Sequence, residues 1–234
     1  MKTILTSYAS FIKYLREERK LSQAAVAKKT KMSRASYVAV EKGTKELSLA
    51  EADAVTKLFG ISIDELLRTQ APDHSKYVQM ILAFLREAKA QHVILKKTKL
   101  AKLLYLTDFS WYYLYAKSMS GVAYRKIDFG PVADVFFRIL EEMEQGGSIN
   151  IKQIYKDEYH MYEIEETRAS AKTILTLLTK KEQTHIAKVW KQWQSASTAE
   201  IVKFTHEQAP YKVSVQGEII QYSLITTEAS HNVY

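Results

Sequence analysis

The 234-residue sequence contains no cysteine and only 7 glycines and 3 prolines. Without a thiol, the chain has no disulfide, no thiolate metal site and no cysteine nucleophile. Helix-breaking residues are scarce and 47% of the residues are hydrophobic, so the composition favours a helix-rich globular protein with a substantial core. The apolar start of the chain is too short and too interrupted for a signal peptide or a membrane span, and we expect a cytoplasmic protein.

The sequence also lacks the motifs of common enzymes. It has no glycine-rich phosphate loop, no Gly-x-Ser-x-Gly elbow and no His-Glu-x-x-His pair, and its histidines never approach metal-ligand spacing. His206 is the best single candidate for chemistry, but a histidine beside a helix end and a proline turn more often anchors a loop. We therefore expect no enzymatic activity and no metal or other cofactor.

The positive charge is concentrated at the amino end of the chain. Of the formal net charge of +8, residues 1–70 carry +5, with 13 lysines and arginines against 8 acidic residues. Such an excess favours a polyanionic partner for this part. By contrast, residues 141–166 are locally acidic, and this stretch is either a solvated face or a surface that attracts a basic partner.

Periodicity and capping predict five short helices in the first seventy residues. Apolar residues recur at helical spacing over 8–18, and Gly43 ends the third helix after Glu41. The second and third helices begin at the capping residues Ser22 and Ser33. The fourth and fifth begin at the capping boxes Ser48–Glu51 and Ser62–Glu65. The second and third helices are separated by only a tight turn, as in a helix-turn-helix motif.

Four segments make this resemblance specific: Leu15-Arg-Glu-Glu-Arg-Lys-Leu-Ser-Gln23, Ser33-Arg-Ala-Ser-Tyr37, Glu41-Lys-Gly43 and Leu58-Phe-Gly-Ile-Ser-Ile-Asp-Glu-Leu66. In order and spacing they closely resemble the lambda-repressor-like transcription regulators of the xenobiotic-response-element type. The resemblance implies that the third helix, Ser33 to Val40, enters the major groove of DNA. It also implies that Gln23 fixes a phosphate.

Further DNA contacts follow from the chemistry of the residues around the third helix. Arg34 and Ser36 suit base edges, and Lys42 and Lys45 suit the flanking phosphates. Ala35, Val38 and Ala39 stand where such helices usually carry longer polar side chains. Ala35 can contact a thymine methyl, but the alternative is a domain that has lost DNA affinity and serves mainly to dimerise. The predicted DNA-binding residues are Gln23, Ser33, Arg34, Ala35, Ser36, Lys42 and Lys45.

A second domain follows a short break in the helical pattern. Pro72 disfavours helix in the residue before it, so we predict a first domain over 1–70, a linker over 71–75 and a second domain over 76–234. Helical spacing predicts core helices around 78–85 and 100–109. The aromatic run Trp111 to Tyr115 fits either the end of a core helix or a base-stacking platform, and core packing is the commoner reason for such a run.

The rest of the second domain is predicted to be helical with one small hairpin. Asp128–Pro131 reads as a turn that feeds a helix beginning at Val132. Strands are expected around Ile149–Ile151 and Tyr159–Ile164, joined by a turn at 156–158. Capping boxes at Thr179–Glu182 and Ser197–Glu200 open two further helices. The predicted fold is thus mainly α: a five-helix lambda-repressor-like domain, then a mainly helical α+β domain with a small antiparallel hairpin.

The second domain resembles the Panacea domain of antitoxins from bacterial and phage toxin-antitoxin systems. Three segments carry the resemblance: Lys99-Leu-Ala-Lys-Leu-Leu-Tyr-Leu-Thr-Asp108, Phe129-Gly-Pro-Val132 and Phe204-Thr-His-Glu-Gln-Ala-Pro-Tyr211. Tyr211 departs from the family, which more often has tryptophan there. The resemblance marks as motif residues Lys102, Asp108, Gly130, Pro131, His206, Pro210 and Tyr211.

The two resemblances together imply an antitoxin that binds and neutralises a protein toxin and represses its own operon. Its expected partners are the toxin, double-stranded operator DNA and a second copy of the chain, because a dimer reads two half-sites about 34 Å apart. Two alternatives remain open from the sequence. One is a ligand-sensing regulator whose second domain holds a small molecule. The other is a protease or sequestration adaptor that uses the first domain only for dimerisation.

Overall fold

A computed structural model describes residues 7–61, 63–66, 72–156 and 159–234. The chain divides into two compact units, with the division between Pro72 and Asp73. In the described ranges, none of the helices combines the length and the apolar character needed to cross a membrane.

The first unit consists of short helices, as predicted. Its helices are α1 Ser7–Glu18, α2 Gln23–Lys29, α3 Arg34–Glu41, α4 Leu49–Phe59 and α5 Ile63–Leu66. One apolar core is shared among these helices, with Ile12 of α1, Val26 of α2, Tyr37 of α3 and Phe59 of α4 all buried. The arrangement is the five-helix domain expected from the sequence.

Side-chain caps fix where these helices begin. The Ser22 Oγ accepts a hydrogen bond from the Ala25 N–H (3.1 Å), and the Ser33 Oγ accepts one from the Ser36 N–H (3.0 Å). Ser48 and Glu51 form the predicted capping box at the start of α4. The capping box predicted at Ser62 lies outside the described residues. The α2–α3 turn spans only four residues, so the predicted helix-turn-helix geometry is present.

The second unit is built around one long buried helix. Its helices are α6 His74–Ala90, α7 Lys97–Tyr115, α8 Phe136–Gln145, α9 Lys180–Trp193, α10 Thr198–Glu207 and α11 Ala209–Val213. Every residue from Lys99 to Trp111 on α7 is buried, because α6, α9 and α10 pack around it. Because this stretch is buried on all sides, its apolar residues are not confined to one face of α7.

Six short strands form two antiparallel sheets in the same unit. The strands are β1 Leu95–Lys96, β2 Tyr124–Ile127, β3 Gly130–Ala133, β4 Ile149–Lys156, β5 Tyr159–Glu166 and β6 Ile219–Ile220. One sheet has the order β1-β5-β4 and the other the order β3-β2-β6. The predicted hairpin is β4–β5, with Ile151 opposite Ile164. The other four strands were not predicted.

The structure differs from three further predictions. The turn at Asp128–Phe129 leads into strand β3 rather than a helix, and α8 begins only at Phe136. Pro131 is tolerated because β3 lies at the sheet edge, where a missing N–H leaves no ladder bond unmade. Helix α6 begins at His74, inside the predicted linker, because the Asp73 carboxylate caps it through the Lys76 N–H (2.8 Å). In the aromatic run, Trp111 is buried but Tyr115 is exposed.

Candidate functional site

The amino end of α3 is the part of the first unit most open to a partner. Ser33, Arg34 and Ala35 are all exposed, and so is Lys42 just after the helix. In the described part of the chain, neither the Arg34 guanidinium nor the Lys42 ammonium has a hydrogen-bond or ion-pair partner. Both cations, together with the unpaired N–H groups of a helix start, remain available to bind phosphate or base edges.

Gln23, predicted to bind phosphate, is instead bonded within the unit. Its Nε2 donates to the Glu41 Oε2 (2.8 Å), and Arg16 donates to both oxygens of the same carboxylate, at 2.6 and 3.1 Å. Burial by itself raises the pKa of Glu41, but these hydrogen bonds, led by that from Arg16, outweigh it and lower the pKa. Glu41 therefore joins α1, α2 and α3, and the phosphate role of Gln23 stays a prediction.

Ser36 and Lys45 are also engaged internally. The Lys45 Nζ lies 2.6 Å from the Glu51 Oε1 and also donates to the Ser36 Oγ. Both side chains are half-buried in this arrangement. Either side chain could contact DNA only after the bonds of Lys45 to Ser36 and Glu51 break. Ser36 and Lys45 are therefore less available for DNA contacts than Arg34 and Lys42.

Three lysines beside the α2–α3 turn were missed as candidates. Lys28, Lys29 and Lys31 are exposed, and Lys31 adopts the left-handed backbone conformation (φ 57°) that closes the turn. The cluster Lys28-Lys-Thr-Lys31 was visible in the sequence, but only the turn places it next to the start of α3. These side chains add positive charge where the DNA backbone is expected.

In the second unit, three motif segments meet around the Lys102 side chain. Lys102 is 1% exposed on α7, and its Nζ donates to the Pro131 carbonyl (2.8 Å). Burial lowers the pKa of this lysine to about 7. The prediction placed Lys102 and Pro131 in one motif set, and the structure brings them into direct contact.

His206 and Tyr211 complete this cluster. Their rings stack at a centroid distance of 4.3 Å, and the Tyr211 hydroxyl donates to the Ile127 carbonyl (2.8 Å). Among the described residues, the buried His206 Nε2 has no hydrogen-bond partner. Burial, and then the nearby charges of Lys102 and Lys126, lower the pKa of His206. The neutral imidazole is thus favoured beside the buried lysine.

Gly130 allows the cluster to close. Its φ of +90° is a conformation that side-chain-bearing residues rarely adopt. A Cβ at this position would lie 2.7 Å from the His206 Nε2 and 2.9 Å from the Lys102 Nζ. Pro210 is buried in the first turn of α11, where its missing N–H leaves no helical bond unmade. We call Lys102, Gly130, Pro131, His206 and Tyr211 the motif cluster.

Asp108 belongs to a separate buried network on α7. Its carboxylate accepts hydrogen bonds from the Ser120 N–H (2.8 Å), the Ser120 hydroxyl (2.5 Å) and the Tyr124 hydroxyl (2.9 Å). Burial raises the pKa of Asp108, although these hydrogen bonds act against the shift. The network ties α7 to the start of β2. Sequence reasoning missed Ser120 and Tyr124, since neither lies within a motif.

One buried pair has the composition of a catalytic dyad. The Ser110 Oγ lies 2.7 Å from the His185 Nε2, and burial lowers the pKa of His185 to about 4. Ser110 is wholly buried and His185 is 6% exposed, so a substrate has no access to this pair. In the ranges that the structure describes, no group of histidine and acidic side chains is arranged to hold a metal ion.

The acidic stretch 141–166 is less available than its sequence suggests. Glu166 is buried against Arg86 (2.8 Å), and Glu142 pairs with Arg138 (2.7 Å). Glu144 accepts a hydrogen bond from the Ile151 N–H (3.0 Å). Three of its carboxylates are therefore already bonded within the second unit, which weakens the idea of a surface for a basic partner.

Comparison with known families agrees with both resemblances. Residues 12–66 match the helix-turn-helix family, and this match spans the predicted DNA-binding residues. Residues 100–212 match the family described as antitoxin SocA-like, Panacea domain, and this match spans every predicted motif residue from Lys102 to Tyr211. Two separate parts of the chain are therefore similar to known families, one to a helix-turn-helix domain and the other to the Panacea domain of SocA-like antitoxins. No curated protein and no solved structure matches it.

Proposed function

We propose that the chain is an antitoxin that neutralises a protein toxin by direct binding and represses its own operon. The observation that carries the proposal is the combination in one chain of an exposed α3 start in a helix-turn-helix unit with a closed motif cluster in a Panacea unit. The first unit binds operator DNA, and the second binds the toxin. We propose no catalytic step, because the buried Ser110–His185 pair is closed to substrate.

Two exposed cations support the DNA half of the proposal. Arg34 at the start of α3 suits the guanine edge or a phosphate, and Lys42 suits the neighbouring phosphate. A single short helix contributes few base contacts, so we propose that two copies bind two half-sites separated by about one helical turn, roughly 34 Å. The dimer is part of the proposal.

The toxin half is tested by co-expression with the product of the adjoining open reading frame. That product alone is expected to arrest growth, and the full chain is expected to restore growth and to copurify with it. A harmless product, or a toxic one that this chain neither relieves nor binds, contradicts the antitoxin function.

The DNA half is tested on a fragment containing the operon's own promoter. Arg34→Ala is expected to weaken binding by about 1–3 kcal/mol if it reads a base, and loss of Lys42 is expected to lower the salt slope by about 1. Lys57→Ala is the matched control, because Lys57 is an exposed lysine of the same unit and its ammonium pairs with Asp53 on α4. Equal binding by the wild-type chain and the Arg34 variant would place the DNA contact elsewhere.

A further inference from the structure

A cleft next to the motif cluster combines exposed aromatic side chains with a lysine. It has a volume of about 320 Å³ and lies among the start of α7, the β2–β3 hairpin, α8 and β5. Phe129 at the hairpin tip is 75% exposed, and Phe137 on α8 is 54% exposed. Lys102 of the motif cluster also lines the cleft. We call this feature the aromatic cleft.

Lys97 stands at the aromatic cleft without an acidic partner. Its Nζ lies 3.8 Å from the centroid of the Tyr162 ring and 5.5 Å from that of Phe137. In the described part of the chain, no carboxylate forms an ion pair with it. Burial lowers the pKa of Lys97, as expected for an ammonium that has lost part of its water and has only aromatic faces in return.

The cleft around Ile174, in the described part of this unit, lacks this combination of groups. Ile174 is 78% exposed but lies in a cleft with Arg86 and Lys172, where Arg86 already pairs with Glu166. Aromatic anchors in a concave site with one charged group are typical of interface hot spots. Among the described clefts, the aromatic cleft alone combines exposed aromatic rings with an unpaired cation.

We infer that the aromatic cleft is where the second unit holds its protein partner, and that the partner presents an apolar side chain next to a carboxylate. The apolar side chain packs between Phe129 and Phe137, and the carboxylate pairs with the Lys97 ammonium. This inference rests on the proposed antitoxin function and identifies its contact surface. Charge complementarity selects this occupant, because the unpaired charge in the cleft is the Lys97 ammonium, which attracts a carboxylate.

The test measures binding of the adjoining open reading frame's product to the full-length chain and its variants. Phe137→Ala and Lys97→Glu are each expected to weaken binding by about tenfold or more, as truncation of a central anchor does. Lys97→Arg keeps the positive charge and is expected to bind more tightly than Lys97→Glu. Ile174→Ala is the matched control, since it removes an exposed apolar side chain at another cleft. Thermal unfolding of each variant checks that the fold is intact.

The carboxylate is tested from the partner's side. Growth selection for partner variants that are again neutralised by the Lys97→Glu chain is expected to yield an acidic residue replaced by lysine or arginine. Suppressors that never change an acidic residue overturn the charge assignment.

The outcomes separate the inference from the function on which it rests. Wild-type binding with equal binding by folded Phe137→Ala and Lys97→Glu overturns the inference and leaves the antitoxin function standing. Failure of the wild-type chain to bind contradicts the proposed function, and the inference with it. If these variants lose self-association but still bind the partner, the cleft belongs to a second copy of the chain and the inference is overturned. A small metabolite that occupies the cleft and leaves partner binding unchanged also overturns it.

Discussion

At the scale of single residues, Gly130 is where the motif cluster depends most on the absence of a side chain. It has a left-handed backbone, and it lies against the His206 imidazole and the Lys102 ammonium. Backbone conformation and close approach act together here, so the position has two independent reasons to be glycine. Lys102 matters for a different reason: burial lowers the pKa of its side chain, so the stability of the second unit depends on pH.

The substitution Gly130→Ala is expected to destabilise the second unit by about 3 kcal/mol or more, since steric overlap adds to the cost of a positive φ. Gly217→Ala is the control, because Gly217 has a φ of +81° but open space around its Cβ position. It should cost only about 1–2 kcal/mol. Tryptophan fluorescence measures both, since all three tryptophans, Trp111, Trp190 and Trp193, lie in the second unit. Equal losses in the two variants would contradict the close approach.

A pH dependence follows from the Lys102 ammonium. Its pKa is about 7 in the folded chain and 10.5 ordinarily, so between these values the unfolded chain holds a proton that the folded chain does not. The free energy of unfolding should therefore rise with pH across this window, by up to about 1.4 kcal/mol per unit, and fall as pH drops towards 7. Denaturant titrations at several pH values should show this slope in the wild type and a smaller slope in Lys102→Met, where the lowered pKa values of Lys97 and Lys99 still contribute.

The control for this slope is Lys203→Met, because Lys203 is a largely exposed lysine of α10. Its unfolding curves should follow those of the wild type at every pH. If the Lys102→Met chain also keeps the wild-type slope, the buried ammonium is not its source.

At the scale of elements, the Glu41 carboxylate organises the first unit. It receives Arg16 from α1 and Gln23 from α2 while lying at the end of α3, and its side chain is only 3% exposed. A buried charge that loses its partner is costly, whereas exposed pairs contribute little. The orientation of α3 therefore depends on a contact made at the end of the helix, opposite its exposed start at Arg34.

Arg16→Met should destabilise the first unit by about 3–5 kcal/mol, since it leaves the Glu41 charge uncompensated. Lys57→Met breaks the exposed pair with Asp53 and should cost less than about 1 kcal/mol. The first unit has no tryptophan, so its unfolding is followed by circular dichroism, while tryptophan fluorescence reports on the second unit. Similar effects of the two substitutions would show that Glu41 is not the organising contact.

Helices that begin at a serine or threonine cap could be located from the sequence almost to the residue. Ser33 and Gly43 delimit α3 because capping and a left-handed stop are local interactions. Strands β2, β3 and β6 were missed because they have only two to four residues and exist through pairing with one another. The same limit applies to sites: the motifs indicated Lys102 and His206, but their convergence at Gly130, and the aromatic cleft beside them, arise from packing between distant elements.

At the scale of the whole molecule, two units with different surfaces share one chain. The amino-terminal unit exposes cations around α3, and the second unit exposes aromatic rings around an unpaired lysine. The first surface suits a polyanion and the second suits an apolar, acidic segment of a protein. The partners that we propose, a toxin for the second unit and a promoter for the first, match these two surfaces.

Sedimentation velocity of the purified full-length chain, mixed with the product of the adjoining open reading frame, measures direct binding between the two proteins. We expect one complex that sediments faster than either protein alone, and a shift of that complex towards the free species with Phe137→Ala but not with Ile174→Ala. Two boundaries that sediment independently at micromolar concentrations of both proteins would contradict neutralisation by direct binding.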